Sequence, residues 1–142
     1  EDVMRRYFAT YRGLDAWLRE AARKVVVERT ARTASGRMMR FRFEEGDRKA
    51  VSMAQRNGKN MPIQGTSADI LKRALHLLHE KIRGTSVKLV NIVHDEVILE
   101  CDAGEAEQAA KNLEDAMCAA GEEYIKKVPV KVDVHISDEW TK

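Results

Sequence analysis

The chain has 142 residues, of which 44% are hydrophobic and 34% are charged. This length suits one domain with a buried core, and no run of about 18 apolar residues is present that could cross a membrane. The first residues lack the apolar core of a signal peptide, and two cysteines without a CxxC spacing favour a reducing, cytoplasmic setting.

The net charge of +2 hides an uneven distribution along the chain. Residues 1–60 contain 15 Lys and Arg against 8 Asp and Glu, whereas residues 61–142 contain 10 against 15. A basic half suits a polyanion partner, and an acidic half suits a metal site. A solvated charged surface explains the same numbers, so charge alone leaves both alternatives open.

The first half of the chain predicts a helix, a basic hairpin and a second helix. Apolar residues recur at helical spacing from residue 2 to about residue 25. Apolar and β-branched stretches then flank Ser35 and Gly36, which predicts a hairpin with its turn there. A further helix is expected from Asp47, and Pro62 is expected to interrupt it.

Two more helices are predicted in the second half. Thr66 and Asp69 have the spacing of a capping box, and so do Asp102 and Glu105. We therefore expect one helix to begin at Thr66 and another to run from Asp102 to about Lys126.

Strand patterns make up the rest of the second half. The apolar runs 88–93 and 97–101 are separated by three residues, a length that suits a hairpin connection. Residues 130–136 alternate apolar and polar, which predicts a half-buried strand beside the hairpin. The predicted fold class is α+β: a small antiparallel sheet, made of this hairpin and the C-terminal strand, packed with about four helices.

The strongest candidate for chemistry is the connection itself, His94, Asp95 and Glu96. Two neighbouring carboxylates at the tip of an apolar hairpin repel each other unless a cation neutralises them. Mg²⁺ suits them, because it takes one or two protein carboxylates and completes its shell with water and substrate phosphates. An isolated pair of this kind is more often a solvated acidic turn, and that alternative stays open.

A second candidate is the amide pair Asn60 and Gln64, which stands four residues apart on either side of a proline. Their side chains can meet the purine N3 and pyrimidine O2 acceptors that every base pair presents in the minor groove. Local capping and turn chemistry accounts for the same amides equally well.

A resemblance to a known family lies in two segments some 25 residues apart, 60–69 (NMPIQGTSAD) and 93–97 (VHDEV). Both resemble the C-terminal part of the polymerase domain of family A DNA polymerases, the group typified by bacterial DNA polymerase I. The resemblance implies a partial polymerase palm, with a basic helix and hairpin region at 1–60 and a palm portion at 61–142.

The resemblance implies a metal role for the acidic tripeptide. Asp95 would be one of two aspartates that hold a pair of catalytic Mg²⁺ ions, and Glu96 would support that site. His94 would contact the primer end. The other metal aspartate belongs to the family's first palm motif, which these 142 residues do not contain.

The resemblance implies DNA contacts for the first half. Asn60 and Gln64 would lie along the minor groove near the newest base pair, with Arg56 close by. The hairpin around Arg37 would contact the backbone of the primer–template DNA.

The function expected from the resemblance is that of a C-terminal piece of a DNA-directed DNA polymerase, in the nucleoid or in a phage-infected cell. Its substrates would be primer–template DNA and deoxynucleoside triphosphates. The palm strand and fingers that belong upstream are absent from the sequence, so we expect the chain to need an upstream segment or partner chain and to be inactive alone. The hairpin at 88–101 should then have an exposed edge.

Two other functions remain as alternatives. A non-catalytic nucleic-acid-binding module derived from a polymerase would keep the DNA contacts without the reaction. A metal-dependent phosphohydrolase using Asp95 and Glu96 is weaker, because the sequence shows too few further ligands for it.

Overall fold

Helices and two short hairpins make up the computed structural model, which describes residues 2–44 and 46–140 and confirms the α+β class. The chain divides into a first compact unit, residues 1–66, and a second, residues 67–142. The first unit contains α1 (Asp2–Thr10), α2 (Arg12–Glu28), β1 (Thr30–Arg32), β2 (Met38–Arg40), α3 (Arg48–Asn60) and a π turn (Met61–Gly65). Then follow α4 (Thr66–Ile82), β3 (Lys88–Val93), β4 (Glu96–Glu100), a 3₁₀ turn (Ala103–Glu105) and α5 (Ala106–Glu122). None of the helices in the described part of the chain is long and apolar enough to cross a membrane.

The first unit is built on the contact between α2 and α3. The predicted first helix is present but divides at Tyr11, whose backbone leaves the helical region. Val25 of α2 is 1% exposed, and a Cβ built on Gly58 of α3 would lie 1.9 Å from its Cγ2 atom. Glycine therefore lets the two helices approach at a distance that any side chain at position 58 would prevent.

The basic hairpin is confirmed. Strand β1 pairs with β2 in antiparallel register, and Gly36, with φ +88°, occupies the turn as predicted. The guanidinium of Arg29 lies 3.6 Å from the centroid of the Phe43 ring and donates a hydrogen bond to the Phe43 carbonyl. This cation–π contact joins the two ends of the hairpin.

The prediction that Pro62 interrupts the helix was wrong. A helix follows Asp47 as expected, and the structure shows that the Asp47 side chain caps it, accepting from Lys49 N at 3.1 Å and Ala50 N at 3.0 Å. The chain then stays helical from 48 to 82, because it widens into the π turn at Met61–Gly65. A wider turn accommodates the missing N–H and the ring of proline, which a regular α-helical turn does not.

Thr66 is not the N-cap that the capping-box pattern predicted. Its backbone is helical, with φ −66° and ψ −40°, whereas an N-cap residue leaves the helical region. Its hydroxyl donates to the Pro62 carbonyl at 2.5 Å instead of accepting from the helix that follows. The Thr66 hydroxyl thus bonds back across the π turn and does not cap α4.

The second unit has its core between α4, α5 and the inner face of β4. The buried members of this cluster are Leu78, Ile82, Val87, Ala109 and Ala116. Val97, Leu99 and Cys101 pack against it from the strand side, so every second residue of the strand region faces the helices. The predicted hairpin is therefore present, and its strand β4 packs against α4 and α5.

The second capping box was also wrong. Asp102 makes no side-chain cap hydrogen bond, and α5 begins at Ala106 and ends at Glu122. Glu105 instead accepts hydrogen bonds from the backbone N–H of Ser86, at 2.9 Å, and from the Ser86 hydroxyl. These two bonds lower the pKa of Glu105 below the usual glutamate value, because both stabilise the ionised carboxylate.

The C-terminal segment does not form the predicted strand within the described residues. Burial alternates from Val130 to Val134 as the pattern requires, but the segment packs on α5. A Cβ built on Gly121 would lie 2.8 Å from Val130 Cγ1, and Cys118 Sγ lies 3.9 Å from the Val130 carbonyl oxygen. An alternating pattern shows only that one side is covered, and here a helix covers it.

Strand β3 of the β3–β4 hairpin is exposed, as expected. In the described part of the chain β3 pairs only with β4. Its apolar residues Leu89, Val90 and Ile92 are between 37% and 50% exposed. The hairpin therefore presents an unpaired edge.

Candidate functional site

The acidic turn joins β3 to β4 and is tighter than the three-residue connection that the sequence suggested. Val93 pairs with Glu96, so only His94 and Asp95 form the loop and Glu96 is the first residue of β4. His94 has φ +58°, an uncommon value for a residue other than glycine. A residue held in this conformation costs free energy, which makes it a candidate for function.

Both carboxylates of this turn are free to bind a cation. Asp95 and Glu96 are exposed, and neither has an ion pair or side-chain hydrogen bond with any described residue. Glu96 lies on the strand face opposite Val97, which packs into the core. Glu96 therefore projects from a strand that the core holds in position, and Asp95 lies next to it in the turn.

The donor set of the turn fits part of a magnesium site. Two carboxylates supply the one or two protein ligands that Mg²⁺ takes in a phosphate-binding site. No group of three or more His, Cys, Asp or Glu side chains in the described ranges is placed to hold a metal ion. Asp95 and Glu96 can therefore hold one side of a metal shell that other groups complete.

A second set of candidates follows one face of the helical segment in the first unit. Arg56, Asn60 and Gln64 recur every four residues and are all exposed. None of their side chains has a hydrogen-bond partner among the described residues. The two amides are thus available to a ligand that crosses this face, with a guanidinium beside them.

Arg37, the remaining candidate, lies in the loop of the basic hairpin. One of its guanidinium nitrogens donates to the Gly65 carbonyl at 2.9 Å. Gly65 is the residue that follows Gln64. The predicted DNA-contacting arginine is therefore attached to the segment that carries the predicted groove-contacting amides.

The structure brings the candidates into two groups. His94, Asp95 and Glu96 share one turn of the second unit. Arg37, Arg56, Asn60 and Gln64 lie in the first unit.

Sequence reasoning missed the residues that hold the π turn. Ala34 N donates to the Thr66 hydroxyl at 2.9 Å, and a Cβ built on Gly65 would lie 2.6 Å from Thr33 Cγ2. Thr33 itself is buried. In the sequence, the Gly65-Thr66 pair beside Gln64 indicates a close backbone contact. It does not indicate that the contact is made with Thr33 and Ala34.

Comparison with known proteins gives a consistent result. The model of the family described as DNA polymerase family A matches residues 1–142. DNA polymerase I of Aquifex aeolicus is 46% identical over 85 residues, which are 58% of this chain and 15% of that protein. A thermostable DNA polymerase I of Thermus thermophilus is 31% identical over 136 residues, 95% of this chain and 16% of the relative.

A solved structure described as the POL domain of Pol1 from M. smegmatis in complex with DNA primer-template and dNTP is also similar. It superposes with a TM-score of 0.77 at 28% identity, over 82% of this chain and 21% of that one. The chain thus spans less than a fifth of the length of either curated relative.

Proposed function

This chain belongs to DNA polymerase family A, and from that premise we propose that it supplies part of the site at which a DNA polymerase extends a primer. The reaction is template-directed addition of deoxynucleotides to a primer 3′ end. The proposed partners are primer–template DNA and deoxynucleoside triphosphates. A cytoplasmic location, at the nucleoid or in a phage-infected cell, would follow from them.

The observation that carries the proposal is the pair of free carboxylates on the β3–β4 turn. Asp95 and Glu96 are exposed there and have no partners among the described residues. Exposed neighbouring carboxylates with no protein partner can bind a cation without breaking an existing contact. We assign Asp95 as the metal-holding aspartate and Glu96 as its support.

Two Mg²⁺ ions, when bound, stabilise the charge on the attacking 3′ oxygen and on the departing pyrophosphate. The contribution of this chain is to hold the carboxylates in place and to orient the primer end beside them. His94, next to Asp95 in the turn, is assigned the contact with the primer terminus. Its positive φ suits the two-residue turn and sets the direction in which the chain carries its side chain beside Asp95.

We assign duplex binding to the exposed face of the first unit that carries Arg56, Asn60 and Gln64. Asn60 and Gln64 would donate from their amide N–H groups to the minor-groove edge of the newest base pair, where the N3 and O2 acceptors are alike in every base pair. Such contacts check the shape of a pair without reading its sequence. Arg56 on the same face adds a positive charge beside them.

We further propose that the chain needs ligands from outside itself, an upstream polymerase segment or a partner chain. Two carboxylates leave most of the coordination of two metal ions unsupplied. The purified 142-residue chain, given primer–template DNA, deoxynucleoside triphosphates and Mg²⁺, should produce no elongated primer on a denaturing gel. Templated elongation by the chain alone would contradict this part of the proposal.

The metal assignment is tested with Mn²⁺ as a paramagnetic probe. In the presence of primer–template and a deoxynucleoside triphosphate, Mn²⁺ should broaden the amide NMR signals of residues 93–97. Asp95→Asn should weaken this Mn²⁺ binding by about tenfold, because one unit charge within contact distance is removed. Glu100→Gln is the matched control, an exposed carboxylate at the other end of β4, and should leave the broadening unchanged. Equal broadening in wild type and Asp95→Asn would refute the assignment.

One observation favours a second candidate function, a non-catalytic nucleic-acid-binding module. The DNA-facing candidates Arg56, Asn60 and Gln64 are complete within the first unit and are free. If the chain is such a module, its affinity for duplex DNA should be the same with and without a divalent metal ion. Primer–template affinity in the wild-type chain with no Mn²⁺ broadening at residues 93–97 would select it over the polymerase site.

A further inference from the structure

The loop of the basic hairpin and the π turn are joined by contacts that neither the family assignment nor the proposed function uses. We propose that Thr66 and Arg37 are positioning residues that form a clamp: together they fix the backbone that carries Gln64, so that its amide meets the minor groove in one orientation. This inference rests on the proposed groove contact of Gln64.

The first part of this clamp is the Thr66 hydroxyl, which makes two hydrogen bonds. It donates to the Pro62 carbonyl at 2.5 Å and accepts from Ala34 N at 2.9 Å. The donor side spans the π turn, and the acceptor side reaches the hairpin loop 32 residues away. One hydroxyl therefore links the π turn, through Pro62, to the hairpin loop, through Ala34.

The second part is the Arg37 guanidinium, which donates to the Gly65 carbonyl at 2.9 Å. That carbonyl belongs to the residue immediately after Gln64. A hydrogen bond from a charged donor is stronger than a neutral one. The backbone on the C-terminal side of Gln64 is thus held at two consecutive residues.

Packing completes the clamp. Gly65 lies so close to the buried Thr33 that a Cβ would come within 2.6 Å of its methyl carbon, and Met61 at the start of the turn is only 6% exposed. The backbone around Gln64 is fixed on both sides. The Gln64 side chain itself is exposed and has no partner among the described residues. Because the backbone at Gln64 is held in place and its amide is free, less conformational entropy is lost when the amide forms a hydrogen bond to the DNA.

The clamp is tested first without DNA, by hydrogen exchange. Thr66→Val removes the acceptor of the Ala34 amide, so exchange at Ala34 and through residues 63–66 should accelerate about fivefold, the effect of one lost hydrogen bond. Thr66→Ser keeps the hydroxyl and should restore the wild-type rates. Thr10→Val is the matched control, because Thr10 makes the same bond to a carbonyl four residues back and has no hairpin contact. Unchanged exchange in both Thr66→Val and Arg37→Met would overturn the clamp.

Positioning is tested with DNA whose minor-groove acceptor is deleted. The wild-type chain should bind a primer–template about two- to tenfold more tightly than the same duplex with a 3-deazapurine at the primer terminus. In Thr66→Val and in Arg37→Met this ratio should fall close to one, while Thr66→Ser and Thr10→Val keep it. Arg40→Met, in the same hairpin, should weaken binding to both duplexes equally.

Each outcome decides between the inference and the function beneath it. If exchange accelerates but both variants keep the 3-deazapurine ratio, the clamp is structural only and the positioning role is wrong. If the wild-type chain shows no ratio, the groove contact of the proposed function fails, whatever the exchange data show about the clamp.

Discussion

At the scale of single residues, the contact between α2 and α3 depends on the absence of a side chain at Gly58. It lies inside α3, where glycine costs about 1 kcal/mol relative to alanine. Helix propensity alone would therefore predict that Gly58→Ala is more stable than wild type. The structure predicts that it is less stable, because a Cβ at this position would lie 1.9 Å from Val25 Cγ2.

We expect Gly58→Ala to lower the free energy of unfolding by about 1–2 kcal/mol, because overpacking in a tight helix contact outweighs the propensity gain. Chemical denaturation of the whole chain measures this. Gly13→Ala is the control: Gly13 also lies in a helix, and a Cβ there meets nothing within 4 Å. Adding Val25→Ala to Gly58→Ala should recover part of the loss, since it removes the clashing methyl. If Gly58→Ala and Gly13→Ala are equally stable, the close contact does not exist.

At the scale of elements, the junction between the turn after α4 and the start of α5 depends on one carboxylate. Glu105 accepts from Ser86 N and from the Ser86 hydroxyl, which in turn accepts from Asp102 N at 3.0 Å. The strand that leads to the acidic turn begins two residues after Ser86. This junction therefore sets where β3 starts.

The lowered pKa of Glu105 predicts a pH dependence of stability. A carboxyl whose folded pKa is depressed stabilises the fold above its unfolded pKa, and that stability is lost as pH falls through the folded value. Glu105→Gln should therefore be less stable than wild type at pH 7, with a difference that shrinks as the pH falls below about 4.3. Thermal unfolding followed by circular dichroism at pH 7 and pH 3 measures the difference. Glu114→Gln, an exposed residue of α5, is the control, and a constant Glu105→Gln deficit across both pH values would contradict the proposed role of the Ser86 hydrogen bonds.

At the scale of the whole molecule, charge is divided between the two units. The first unit carries the basic excess and the amide face, and the second carries the acidic excess and the carboxylate turn. The basic unit has the charge that suits a polyanion, and the acidic unit has the charge that suits a cation.

This division predicts a steep and localised salt dependence. Primer–template affinity should fall with salt between 50 and 200 mM, roughly the range over which counterion release dominates. Arg42→Met in the first unit should reduce the slope of log K against log salt by about 0.9 if that arginine contacts a phosphate. Lys111→Met, an exposed cation of the second unit, should leave it unchanged. Equal effects of the two substitutions would show that the basic excess of the first unit does not bind the duplex.

Most of the elements could be predicted from the sequence, and the reason is local. The helices and both hairpins depend on periodicity, turn residues and hydrogen bonds within a few positions. Family membership likewise lies in consecutive residues, 60–69 and 93–97, and the family model confirms it. The site residues that those segments indicated stay predictions, now with free side chains to support them.

Tertiary structure decided what local rules left undetermined. The Thr66 hydroxyl could cap a helix or bond its own π turn, and Ala34, 32 residues away, favours the second. Glu105 could complete a capping box or bind Ser86, 19 residues distant, and it binds Ser86. The alternating residues 130–136 could pair with a strand or cover a helix, and Gly121 of α5 leaves room for Val130. In each case the local sequence allows two arrangements, and a contact with a residue distant in the chain selects one.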